Sequence, residues 1–409
     1  MPPARSVASA AGIMYLRVRG VARAVTVTTA VIPTHWVTAP IRGMARMSVK
    51  DETAGGARIE AAAGPAKARL GELKSAIGEG GRVLILTHDN PDPDALASAY
   101  GLLRLVESFD DASARIAFGG FVGRAENRTM VRELGLPITP TRNVSFEDVD
   151  HIALVDTQPG TGNNSLPEGR EATIVIDHHP LRGRTRNAAF HDVRDDCGST
   201  CTIVTEYLQA ADIPLEGVLA TALFYGIQSE TQDLGREATE DDIDASLALY
   251  PGADRALLSR IRYPDLPRAY FKSLHNSLER ARTRGPVVIS YLGKLDYPDL
   301  VAELADFYLR LDGARWSFCI GQFQEDVLIS IRTSLPDAAA GELLRRVVGK
   351  DGAAGGHGMI AGARVPIGDL SAEDARLRVE ELVNRFIKEL GVDDETGAGL
   401  LESPPPASE

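Results

Sequence analysis

Cysteine is scarce: Cys197, Cys201 and Cys319 are the three in a chain of 409 residues. So few thiols exclude a disulfide framework. Cys197 and Cys201, four residues apart with no C-x-x-C pair, read as buried small residues rather than zinc ligands. No apolar run approaches the ~20 residues that a membrane helix needs, so an integral membrane protein is not expected. The sequence lacks G-x-x-x-x-G-K-[ST] and a strand-linked G-x-G-x-x-G, which argues against ATP-dependent and NAD-linked chemistry. No internal repeat is visible. Acidic residues are missing from the first 50 positions, which carry seven Lys and Arg from Arg5 to Lys50. Yet the whole chain is acidic, with 44 basic against 57 acidic side chains and a formal charge of −13. Any polyanion must therefore be met by a local pocket of cations or metal, not by the surface as a whole.

Length suggests two to three domains. Residues 1–47 are read as disordered, as a targeting segment, or as upstream DNA translated from a wrongly chosen start codon, with Met44 and Met47 as the better-placed starts. Residues 392–409, with Ser403-Pro404-Pro405-Pro406, read as a disordered acidic tail. Between them, 48–265 form one domain, 266–283 a helical linker and 284–391 a second domain. In the first, a helix over 57–79 ends at Gly80-Gly81, and the apolar run Arg82–Thr87 is a buried strand. Further strands are expected at Arg115–Gly119, His151–Val155 and Thr173–Ile176, with helices at 94–107, 125–135, 199–211, 215–229 and 240–249. This alternation gives an α/β fold: a mainly parallel sheet flanked by helices. The second domain is smaller and also α/β. It opens on a strand at Pro286–Tyr291, contains a hairpin of Trp316–Phe323 and Val327–Arg332, a helix at 338–348, a glycine-rich loop and a helix at 371–390. The active site is expected in the cleft between the domains.

The acids and histidines cluster at predicted strand–loop junctions, where open parallel sheets form their sites. His88, Asp92 and Asp94 follow the first strand, with Pro91 and Pro93 fixing the loop. Asp156 follows His151–Val155. Asp177-His178-His179 follows Thr173–Ile176. Glu230-Thr231 ends a helix. Imidazole with carboxylate suits Mn, Fe or Zn better than Ca. Six or more such ligands suit two ions, an arrangement that clamps both oxygens of a phosphoryl displacement.

These four motifs, in this order, resemble the DHH phosphoesterase superfamily over about residues 80–365. Asp196-Cys197-Gly198-Ser199-Thr200 resembles its Ser/Thr pair opening a helix. Gly355-Gly356-His357-Gly358-Met359-Ile360-Ala361-Gly362, preceded by Ser330-Ile331-Arg332, resembles the DHH-associated domain. The resemblance implies one metal held by His88, Asp92 and Asp156 and a second by Asp94, Asp156, His178 and Glu230, with Asp156 bridging. It implies His179 beside the scissile phosphate and Asp177 orienting a histidine. Glu230 departs from the family's Asp-Thr motif by one methylene, and nearby Asp233 is a substitute ligand. Arg332, Gly355, Gly356, His357 and Arg236 are the substrate-binding candidates; Arg364 is a weaker one.

The lean two-domain build resembles the oligoribonuclease and 3′-phosphoadenosine-5′-phosphate phosphatase branch. The expected activity is Mn2+-dependent hydrolysis of short RNA or DNA oligonucleotides or nucleotides by metal-activated water, with two ions and Mg2+ or Co2+ as alternatives. Linear or cyclic dinucleotides, polyphosphate and pyrophosphate remain alternative substrates within the superfamily. A catalytically impaired nucleotide-binding regulator is the alternative of another class. A cytoplasmic protein without a membrane partner is expected, with a homodimer left open.

Overall fold

The computed structural model describes residues 66–368, 370–392 and 397–402. The expectations for 1–47, and for the start of the first helix, lie outside the described residues. Helix α1 is described over 66–77. There follow β1 (Arg82–Leu86), α2 (Pro93–Val106), β2 (Ser113–Phe118), α3 (Ala125–Leu134), β3 (Ile138–Pro140), β4 (His151–Val155), β5 (Ile174–Asp177) and β6 (Phe190–Val193). Helices α4 (Thr200–Ala210), α5 (Gly217–Glu230), α6 (Glu240–Leu249), α7 (Arg255–Arg262) and α8 (Arg268–Arg280) come next. The second half holds β7 (Arg282–Arg284), β8 (Val287–Lys294), α9 (Leu300–Tyr308), β9 (Trp316–Phe323), β10 (Asp326–Thr333), α10 (Ala340–Val348), β11 (Ala353–His357), β12 (Ile360–Pro366), α11 (Ala372–Glu389) and β13 (Ala398–Gly399). Among the described residues no helix is long and apolar enough to cross a membrane.

The first sheet runs β3-β2-β1-β4-β5-β6, all in parallel. Both faces of a parallel sheet are covered, so its strands read as unbroken apolar runs. In β1, Val83 and Ile85 pack with the helices, while Leu84 and Leu86 face the opposite cluster with Ile152, Leu154 and Val175. The strand order reverses between β1 and β4, and the crevice beyond their carboxyl ends is where such sheets bind ligands.

Helices α2, α4 and α5 meet closely behind that crevice. Gly226 of α5 makes this possible: a Cβ there would stand 2.5 Å from Cys201 Sγ and 3.2 Å from Ala97 Cβ and from the Pro93 carbonyl. Cys201 is fully buried at this contact, as its small-residue reading implied.

The second sheet is ordered β11-β12-β10-β9-β8-β7-β13. Only β8 and β9 pair in parallel. The expected β9–β10 hairpin is present, with Phe323 opposite Asp326. Trp316, Phe318 and Ile320 face α10 and α11, and Cys319 faces α9. Two expectations change here. The glycine-rich loop is instead the hairpin of β11 and β12, turning at Gly358-Met359. Residues 397–402, expected in the disordered tail, contribute β13, whose Ala398 and Gly399 pair with Thr283 and Arg282. Backbone pairing to an existing strand edge fixes both segments, and it needs no side-chain pattern.

Gly226→Val is expected to lower stability by about 1–3 kcal/mol through overpacking. The urea midpoint at unchanged slope reads it; an unshifted midpoint would mean the three helices spread without loss.

Candidate metal centre

The site is assembled from three strand ends and two helix starts. Asp156 follows β4 in the left-handed region, with φ 58°. Asp is one of the few non-glycine residues that adopts this conformation readily. Its N–H donates to the Ile176 carbonyl at 3.0 Å, so the turn is tied to β5 and the carboxylate is aimed into the crevice. Asp92 is the N-cap of α2: its Oδ1 accepts from Ala95 N–H at 3.0 Å. Asp94, in the first turn of α2, reaches across to α4. It accepts from Ser199 Oγ at 2.7 Å and from the N–H groups of Thr200 and Cys201 at 2.8 and 2.9 Å. Thr200 Oγ1 donates to Asp156 Oδ1 at 3.0 Å. The positive ends of two helix dipoles thus face the buried acids.

Each side of Asp156 faces an imidazole. Oδ2 lies 3.6 Å from His88 Nε2, which is also 3.6 Å from Asp92 Oδ2. Oδ1 lies 3.6 Å from His178 Nε2, which is 3.9 Å from Asp94 Oδ2. These separations are too long for hydrogen bonds. They slightly exceed the about 3–3.5 Å between atoms that share one ion at about 2.1 Å each, so a bound ion would draw these groups inward. The opposite ring nitrogens are occupied by backbone carbonyls: His88 Nδ1 by Asp89 O at 2.9 Å and His178 Nδ1 by Cys197 O at 3.3 Å. That fixes the tautomer with Nε2 as the ligand atom. Among the described residues, two triads could hold an ion, His88–Asp92–Asp156 and Asp156–His178–His179. The second contains His179 where Asp94 and Glu230 were expected, and both Asp94 oxygens are hydrogen-bonded to the start of α4.

The electrostatics fit a cation. Burial, then the charges of Asp94, Asp92, Asp177 and Glu230, pushes the Asp156 carboxyl far above the usual carboxylate range. Burial opposes a charge on His88, but Asp92, the Asp89 carbonyl and Glu230 outweigh it and push its pKa up to about 9. Proton binding at Asp156 and His88 is thus favoured by the surrounding acids, and a divalent ion would offset the same negative charge.

His179 differs from its neighbour. Its ring is 39% exposed, and Nδ1 lies 2.9 Å from Asp177 Oδ1. Burial disfavours its charge, but Asp177 outweighs burial and raises the pKa. Glu230, at the end of α5, has its pKa raised by burial, then by Asp92 and Asp94, against His178 and Arg236. Thr231 is structural: its Oγ1 donates to the Ile227 carbonyl at 2.6 Å and accepts from Leu234 N–H at 3.1 Å. Arg236 Nη2 donates to the Glu230 carbonyl at 2.8 Å and lies 3.9 Å from its carboxylate. Its buried Nε has no hydrogen-bond partner. The substitute ligand Asp233 pairs instead with Arg262 at 2.8 Å.

Arg332 was expected to project from a strand end; it is buried in β10. Its Nε donates to Asp306 Oδ1 at 2.6 Å and Nη1 to Ser330 Oγ at 2.7 Å. Asp306 Oδ2 accepts from Arg124 at 3.1 Å, so one carboxylate of α9 joins guanidiniums from the two halves of the molecule. Gly355 and Gly356 lie in β11 and His357 closes it; the His357 side chain lies outside the described residues. At the hairpin tip Gly358 has φ 44°, and a Cβ there would meet Glu237 Oε1 at 2.8 Å. The tip thus lies against the loop that follows Glu230. Arg364 is paired with Asp326 at 2.6 Å.

Two residues near the site went unread in the sequence. Gln158 is fully buried beside Asp177, two positions past Asp156, a spacing that carries no motif. Asp299, just before α9, comes from the second half and has no local signal. Burial pushes its pKa up to about 6 against Arg124 and His88, with Asp92 adding to the rise.

Comparison with known proteins bears on this site directly. Residues 82–227 match the DHH family, N-terminal domain. Over 351 residues the chain is 34% identical to an uncharacterised protein of Methanocaldococcus jannaschii, covering 80% of this chain and 71% of that one. It is 24% identical over 334 residues to the cyclic-di-AMP phosphodiesterase GdpP of Bacillus subtilis, covering 77% of this chain. There the chain spans about half of its relative, 49%. The crystal structure of an exopolyphosphatase-related protein from Bacteroides fragilis has the same fold, with a TM-score of 0.60 at 16% identity, covering 79% of this chain and 98% of that one. The chain belongs to the DHH family of phosphoesterases.

Proposed function

We propose that this protein hydrolyses short oligonucleotides and nucleotide phosphates such as 3′-phosphoadenosine-5′-phosphate, with two Mn2+ ions. The observation that carries the reading is Asp156, whose two carboxylate oxygens each face a histidine Nε2 at 3.6 Å. His88, Asp92 and Asp156 would hold one ion; Asp156 and His178, with Asp94 and Glu230 at the margin, would hold the other. Bound divalent ions would neutralise phosphate charge and lower the pKa of water towards neutrality. Asp177 fixes the His179 ring through Nδ1. The charged ring stands beside the phosphate, and its Nε2 proton passes to the leaving oxygen. Arg236 and the glycine hairpin of β11 and β12 supply a cation and bare backbone for the rest of a short substrate, while Arg332, bonded to Asp306, acts in the wall behind them.

The placement of the hairpin tip against Glu237, in the loop after Glu230, supports the reading of short substrates. A linear or cyclic dinucleotide phosphodiesterase is the second reading, favoured by the identity to the cyclic-di-AMP enzyme. The deciding experiment is phosphate and nucleotide release from 3′-phosphoadenosine-5′-phosphate, di- to pentaribonucleotides, a cyclic dinucleotide and polyphosphate, with Mn2+ and with EDTA. Mn2+-dependent cleavage of the short RNAs or of the bisphosphate is expected. Cleavage of the cyclic dinucleotide alone would select the second reading, and of polyphosphate alone would reject both.

Asp156→Asn keeps a residue that tolerates the left-handed turn and removes the bridging charge. Turnover is expected to fall by more than the about 100-fold typical of losing a group that merely supports a ligand; measurable retention would remove Asp156 from the centre. Metal affinity should also depend on pH. Ligands bind metal deprotonated, and His88 is charged below about 9. Apparent affinity is therefore expected to rise from pH 6 towards pH 9, with proton uptake by buffer visible as a calorimetric difference between two buffers. An affinity independent of pH would contradict the assignment of His88.

A further inference from the structure

We propose that Gln158 is a positioning residue for His179, acting through Asp177 to hold the imidazole at the phosphate. The inference rests on the reading of His179 given above. Gln158 is fully buried directly after the Asp156 turn. Its Nε2 donates to Asp177 Oδ2 at 2.6 Å and lies 3.3 and 3.2 Å from the carbonyls of His179 and Pro180. Its Oε1 accepts from the Arg182 N–H at 2.7 Å and from Thr185 Oγ1 at 2.8 Å. The orientation of the amide is fixed by chemistry: a backbone N–H faces one end and acceptors face the other, so a flipped amide would oppose like with like at both.

The consequence lies at Asp177. One of its oxygens is taken by Gln158, and the other accepts from His179 N–H at 3.3 Å and faces His179 Nδ1 at 2.9 Å. The carboxylate cannot rotate without breaking both sets of bonds. The unit Gln158–Asp177–His179 therefore fixes the ring plane and keeps a proton on Nδ1. The bonds to Arg182 and Thr185 also brace the segment after His179. Bracing alone would make Gln158 a contributor to stability. The bond to Asp177 makes it a contributor to rate.

The test separates the two. In full-length protein labelled with nitrogen isotope in histidine and freed of metal, the His179 Nδ1–H resonance is identified by its loss in His179→Ala. Gln158→Met removes the amide at similar volume, and Gln158→Glu retains an acceptor for Arg182 and Thr185. Both are expected to shift or broaden that resonance. Thr185→Val, which removes one brace and leaves Asp177 untouched, is expected to lower the melting temperature without moving it. With Mn2+ and a dinucleotide, Gln158→Met is expected to reduce kcat about tenfold, as for groups that orient a working side chain, with KM within about twofold. Added to His179→Ala it is expected to reduce kcat no further, since residues acting as a unit are non-additive. An unmoved resonance in both Gln158 variants, or a full additional loss in the His179→Ala background, overturns the proposal. Inactive wild-type protein, or undiminished kcat in His179→Ala, overturns the proposed function or the role of His179 instead; the resonance still decides whether Gln158 holds the ring.

Discussion

Crowded negative charge at the ends of β1, β4 and β5 is the constraint around which the molecule is built. Asp92, Asp94, Asp156, Asp177 and Glu230 stand within electrostatic reach of one another, in a buried crevice. Such charges persist only where hydrogen-bond donors and cations compensate them. The compensation comes from local structure. Backbone N–H groups at the starts of α2 and α4 take Asp92 and Asp94. Thr200 takes one oxygen of Asp156, Gln158 one of Asp177. The histidines present ring nitrogens at ligand spacing. At the close approach of α2, α4 and α5 around Gly226, the start of α4 reaches Asp94 of α2.

The second sheet completes the surroundings rather than the ligand set. Asp306 links Arg332 of β10 with Arg124 before α3, and Phe121 meets Phe323 edge to face at 5.7 Å. Asp299 adds a carboxylate near His88 and Asp92. Side chains from the far half of the chain thereby add to the electrostatics of a centre whose candidate metal ligands all come from the near half.

Much of this was legible in the sequence. Apolar runs such as Val83–Leu86 and Ile152–Val155 mark buried strands, and the rule for parallel sheets then puts His88, Asp156 and His178 at one end. The alternation of Trp316, Phe318 and Ile320 marks a one-sided strand. Less was legible where backbone, not side chain, decides. The β11 strand is built around Gly355 and Gly356, which have no side chains to alternate, and β13 is two residues held by pairing to β7. Nor could spacing show that Asp94 serves the start of α4, or that Arg332 is consumed by Asp306. Both depend on contacts between segments far apart in the chain. Gln158 was invisible for a related reason: a lone glutamine has no pattern, and its meaning comes from the Asp177 carboxylate opposite.

The two contacts that bind the hairpin tip and the aromatic edge differ in kind. At Gly358 bare backbone faces a polar side chain: a Cβ there would stand 2.8 Å from Glu237 Oε1. Phe121 meets Phe323 ring to ring although it is 48% exposed, and hydrophobic work scales with the area that contact covers. The halves of the molecule thus meet around the crevice through contacts of different kinds, polar at Glu237 and Asp306 and aromatic at Phe121.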